Sequence, residues 1–112
     1  MIATLVQAGC AIDYTPVAAV NAGDVVVQGA LVGVAPRAIA AGELGALAVE
    51  GVFAFPKAAG VGLGIAAGVN TYWDAGAQQA TTNPAGGINT LIGKSVLVAA
   101  DDDTNVRVRL SQ

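Results

Sequence analysis

The chain has 112 residues and one cysteine, and its composition does not break anywhere along its length, so it reads as a single domain over 1–112, large enough to bury a core. Only 12% of its residues are charged, about half the share of an ordinary soluble domain, while 54% are apolar, mostly small: 24 Ala and 16 Val beside 15 Gly. A net charge of −3 with five scattered Lys and Arg speaks against nucleic acid, and zero His with one Cys removes the usual zinc ligands and the commonest general base.

The chain opens on an apolar stretch, "MIATLVQAGCAI", whose Cys10 has no partner for an internal disulfide. "DVVVQGALVGVA" then splits at Gln28-Gly29 into two strands, the glycine supplying the positive φ of a tight turn. In "GALAVEGVFAFPKA", Leu47 and Val49 alternate with small residues, Gly51 marks a bulge or turn, and Phe53 and Phe55 share a face before Pro56. "AAGVGLGIAAG" is too rich in glycine for a helix. The apolar run from Ala58 to Trp73 is shorter than the roughly 20 residues a membrane helix needs, so no membrane partner is expected. "VNTYWDAG" gives a further strand closed by an Asp-Ala-Gly turn. "KSVLVAA" at 94–100, the polar turn "DDDTN" and "NVRVRL" form a hairpin, with Val106, Val108 and Leu110 on one face and Arg107 and Arg109 on the other. Seven to nine short strands with little helix predict an all-β fold, a small barrel or sandwich. With few charges to blunt open edges, closure or pairing between subunits is expected.

Three motifs invite a chemical reading. "GGINTLIGKS" approaches the phosphate-binding loop, but Ile88 stands where the first glycine belongs and a strand-like segment follows where a helix is needed. "GLGIAA" at 62–67 fits the loose dinucleotide fingerprint without a βαβ unit around it. Asp101, Asp102 and Asp103 carry the ligand chemistry of a hard cation, yet three consecutive carboxylates cannot converge on one ion from a strand and are better solvated at a turn. No catalytic residue, metal or cofactor is therefore expected. Tyr72 and Trp73 gather the only Trp and one of two Tyr, and serve either as interface anchors or as a half-buried core strand.

In order and spacing, "GDVVVQGALVGVA", "IAAGELGALAVEGVFAFPKA", "YWDAG", "NTLIGKSVLVAA" and "VRVRL" resemble a family of small tailed-phage and prophage proteins encoded among head genes. Its members often carry an automatic RecA/RadA-like recombinase label, which the missing phosphate loop, the missing basic face and the short chain argue against. The resemblance covers about residues 20 to 110. It implies a capsid decoration, or cement, protein: a compact β domain, a homotrimer, bound to the major capsid protein on the outer surface of the head after synthesis in the bacterial cytoplasm. The apolar opening departs from the family's pattern and suggests a contact arm over residues 1–12, with Ile2, Leu5 and Val6 reaching a neighbouring subunit or the shell by strand addition. Tyr72 and Trp73 are the other candidate contacts. The alternatives are another virion part, at the head-completion or tail position, or a nucleotide-binding recombinase.

Overall fold

A computed structural model describes residues 11–111 and resolves them into two antiparallel sheets with one short 3₁₀ turn at Ala85–Gly87. The strands are β1 Ala11–Tyr14, β2 Val25–Gln28, β3 Leu31–Val34, β4 Gly45–Ala48, β5 Gly51–Pro56, β6 Asn70–Asp74, β7 Gln79–Thr81, β8 Thr90–Ser95 and β9 Asn105–Leu110. The first four make a sheet in the order β1-β4-β3-β2, and the rest make a second in the order β5-β9-β8-β6-β7. Of the two all-β architectures the sequence allowed, the sandwich is the one adopted. A parallel bridge between Lys57 and Ala80 draws the ends of the five-stranded sheet together without closing a barrel.

Local chemistry explains most of these elements. Gln28 faces Leu31 across the two-residue turn Gly29-Ala30, in which the φ of +62° at Gly29 matches the first position of a type II′ turn. Gly51, with φ of +116°, opens β5 where the chain leaves one sheet for the other. In β9 the alternation holds along the whole strand: Val106, Val108 and Leu110 are buried and Arg107 and Arg109 exposed. These three residues meet Phe55, Trp73 and Ile92 in the main core, to which Val32 and Val34 of β3 contribute from the other sheet. Trp73 packs on Phe55 with ring centroids 6.0 Å apart, and Phe55 on Phe53 edge to face at 6.5 Å.

The hairpin expected from 94–100 and 105–110 forms with a different first strand. β8 runs from Thr90 to Ser95, the Val96 amide still donates to Arg107 O at 2.9 Å, and the chain then leaves the sheet, with Val96, Leu97 and Val98 exposed in the connection to β9. Two close fits set this register. Tyr72 pairs with Leu91 and Thr71 with Gly93, which makes Ile92 the extra residue of a β-bulge whose side chain is fully buried in the core. At Gly93 the backbone of β9 comes so near that a Cβ would overlap the Arg109 carbonyl oxygen, so only glycine fits.

A short internal pattern organises the connections. "VNAGD" at 20–24, "IAAGE" at 39–43, "IAAGV" at 65–69 and "AADDD" at 99–103 each begin with a bridging residue and turn just ahead of a strand. They bridge in two antiparallel pairs, Val20 with Ile39 and Ile65 with Ala99. Matching positions also repeat their hydrogen bonds: Gly23 N–H donates to Ala35 O at 2.7 Å, Gly42 N–H to Pro16 O at 2.8 Å and Gly68 N–H to Ser95 O at 2.7 Å. In both Asn21–Asp24 and Ala100–Asp103, the aspartate carboxylate accepts the amide three residues earlier, at 2.9 and 2.8 Å. One paired-turn unit is thus used twice, once against each sheet.

Candidate functional site

The second paired-turn unit holds the most conspicuous polar construction of the chain. Lys57 follows β5 directly, and although it carries a charge it is only 5% exposed. Its ammonium donates to the carbonyl oxygens of Ala58 at 2.8 Å, Asp103 at 2.9 Å and Asp101 at 3.4 Å, while its own amide donates to Thr104 O at 2.8 Å. A lysine has three donors and no acceptor, and here all three are aimed at carbonyls of two loops that lie far apart in sequence.

Asp101 completes the lock from the other side. Its Oδ1 accepts the Gly64 amide at 2.8 Å and its Oδ2 the Gly62 amide at 3.2 Å, and Gly60 N–H donates to Asp101 O at 2.7 Å. The glycine-rich "GLGIAA" and the acidic "DDD" are therefore one structure. The loop amides that a dinucleotide fold would offer to a pyrophosphate are filled by the chain's own carboxylate. Gly64 is needed for this approach, since a Cβ there would lie 2.7 Å from Asp101 Oδ1. Among the described residues there is no group of three or more acidic, His or Cys side chains placed to hold a metal ion.

The residues of the phosphate-loop-like motif are likewise committed to the fold. Lys94, inside β8 and not at its entry, donates to Asn70 Oδ1 at 2.8 Å on the neighbouring strand. Ser95 is buried, and its hydroxyl donates to Ala66 O and accepts the Val69 amide, which fastens the turn before β6.

Beside the exposed turn Asp101–Asp103, this locked framework presents apolar side chains to solvent. Val61 at the tip of the first loop is 99% exposed, Leu63 beside it half-exposed, and in the second loop Leu97 and Val98 stand out, Val98 at 66%. A shallow hollow lined by Ala54, Leu97, Val98, Asp103 and Arg107 joins the second loop to the outer face of the five-stranded sheet. Apolar side chains displayed on a surface whose backbone is fixed by hydrogen bonds leave little backbone entropy to be lost when a partner covers them, which suits recognition.

The candidate contacts read from the sequence fall in different places. Trp73 is 3% exposed and belongs to the core against Phe55, which leaves it no surface to offer in the single chain. Tyr72, next to it, turns to the other face and is half-buried. With Gly29, Ala30, Asn89 and Leu91 it lines an open groove. Ile2, Leu5, Val6 and Cys10 lie outside the described residues, and the last two positions of the expected arm, Ala11 and Ile12, pair with Ala48 and Leu47 as part of β1. Sequence reasoning missed Lys57 and the union of Gly62, Gly64 and Asp101. The one available signal was a lone lysine in a long apolar run, a residue that must either reach solvent or find several acceptors.

Comparison with known proteins adds one finding. A family model described as a phage cement protein matches residues 6–110, which spans both sheets and both loops of the locked unit. No curated protein and no solved structure shows significant similarity to the chain.

Proposed function

The chain belongs to the phage cement protein family, and on that premise we propose that it decorates the outer surface of the head, binds the major capsid protein there and stabilises the shell without catalysis. The family is a structural one, associated with the phage capsid, and the role asks for adhesive surface instead of reactive groups. The observation that carries the proposal is the pair of loops at Val61–Leu63 and Val96–Val98, apolar, exposed and fixed from beneath by Lys57 and Asp101. Many copies making modest contacts over a regular lattice hold it together by avidity, so no single tight site is required.

Self-association belongs to the same proposal. β2, "VVVQ", is a sheet edge with neither charge nor proline to protect it, and an edge of that kind is normally covered in the working assembly. A homotrimer, with residues 1–10 adding a strand to a neighbour or to the shell, would supply such cover.

Co-sedimentation of the purified protein with undecorated heads tests the proposal. Wild-type protein should pellet with the heads at many copies per particle. The double variant Leu97→Asp and Val98→Asp should lose at least about tenfold in affinity with its melting temperature nearly unchanged, because it places charge in the contact and nothing in the core. Equal pelleting of variant and wild type would remove these loops from the contact.

A further inference from the structure

The outer face of the five-stranded sheet carries a charge pattern that the fold itself disfavours. Lys94 of β8 lies directly opposite Arg109 of β9, and Arg107 stands two residues along on the same face. All three are exposed. Side chains directly opposite in an antiparallel pair start only about 5 Å apart, and like charges there are destabilising. Lys94 leans away to Asn70, but among the described residues neither Arg107 nor Arg109 makes an ion pair or a side-chain hydrogen bond.

This concentration occurs in an acidic chain. Three of its five cations sit on one sheet face, while Lys57 is buried and Arg37 lies in the other half of the fold. Asp103, which shares the hollow with Arg107, has its carboxylate on the Ala100 amide, while Asp101 accepts from Gly62 and Gly64 and Asp74 from Ala77. Toward β5 and the second loop the face is largely apolar, with Asn70 beside Lys94 and Asp103 and Asn105 sharing the hollow with Arg107. Val52 pairs with Arg109 and Ala54 with Arg107, and beyond Arg107 the hollow runs on to Leu97 and Val98. The patch is therefore flat, cationic at its centre and continuous with the apolar loops.

We propose that this face docks on a carboxylate-bearing patch of the capsid shell protein, with Arg107, Arg109 and Lys94 pairing across the contact. The inference rests on the capsid-binding function proposed above and names the chemistry of the surface that receives it. Arginine forks match carboxylates in paired hydrogen bonds, and the apolar rim excludes the water that would otherwise screen them. A nucleic-acid backbone fits less well. Three cations on a chain of net charge −3 give neither a continued basic path nor the long-range attraction such binding relies on.

The test compares wild type, the charge-reversed Lys94→Glu/Arg109→Glu chain and the neutral Arg109→Gln chain for binding to undecorated heads across a salt series. Wild-type binding should weaken as salt rises. Charge reversal should reduce it by about a hundredfold or more at low salt. Arg109→Gln should weaken it by about tenfold while melting no lower than wild type, because removing one of two opposed like charges relieves repulsion. That pairing of lost binding with retained stability separates docking from a structural role, and it holds even if the double reversal fails to fold. Binding of the folded variants equal to wild type at every salt concentration would overturn the assignment while leaving capsid binding intact. Failure of wild type to bind heads would overturn both. Retention of wild type, but not the variants, on a short DNA duplex would overturn the carboxylate partner in favour of a phosphate one.

Discussion

Replacing Lys57 by Met tests whether the two apolar loops are truly held from beneath. Methionine keeps the unbranched stem in its buried channel and removes only the ammonium, so the carbonyls of Ala58, Asp101 and Asp103 lose their common donor. Two of the three bonds are short, at 2.8 and 2.9 Å, and a hydrogen bond from a charged donor is worth about 1.5–3 kcal/mol. That figure is already net of the water the ammonium gives up, so the two short bonds set an expected destabilisation of about 3–6 kcal/mol, which for a domain of this size lowers the melting temperature by about 10 °C or more. Thermal unfolding followed by circular dichroism measures the shift. Hydrogen exchange should localise it, with the Gly62 and Gly64 amides losing protection before those of β8 and β9. A Lys57→Met protein that melts with wild type and keeps those amides protected would refute the idea that one lysine locks both loops.

Gly93→Ala should cost more than about 3 kcal/mol, because its Cβ meets a backbone oxygen that cannot move without breaking the β8–β9 pairing; loss of the cooperative melt or of soluble protein is the readout. A chain lacking residues 1–10, cut before β1 so that Ala11 and Ile12 keep their partners, should melt near wild type yet pellet poorly with heads; full binding would remove the arm from the contact. Calorimetric titration with ATP and Mg²⁺ should be flat, since Lys94 and Ser95 are engaged with Asn70, Ala66 and Val69, and measurable heat of binding would reopen the nucleotide reading.

What could be read from the sequence was whatever depends on neighbours in the chain. The alternation of β9 shows which of its side chains are buried, and the glycine after Gln28 marks a turn, because each follows from backbone geometry within a few residues. The register of β8 could not be read this way. The Val-rich 96–98 stretch has higher strand propensity than Thr90–Ser95, yet the sheet takes the latter, because Ile92 fills the core and Gly93 lets β9 approach. β1 and β7 were hidden for a similar reason: both are short edge strands defined by a partner more than by their own pattern. At the candidate site, the groups of the phosphate-loop-like and dinucleotide-like motifs are engaged within the chain, but the hydrogen bonds that Gly62 and Gly64 donate to Asp101 join segments 37 or more residues apart. No local pattern records them. The four turn segments "VNAGD", "IAAGE", "IAAGV" and "AADDD" form a repeat so short and degenerate that only their bridges mark it as one.

The most direct test of the capsid role is electron cryomicroscopy of heads imaged with and without added protein. Extra density repeated over the outer shell at lattice positions, with the loops at Val61 and Leu97–Val98 turned toward the capsid protein, is the predicted result. Bare shells in both samples, or density confined to a single ring at the portal or tail, would contradict it.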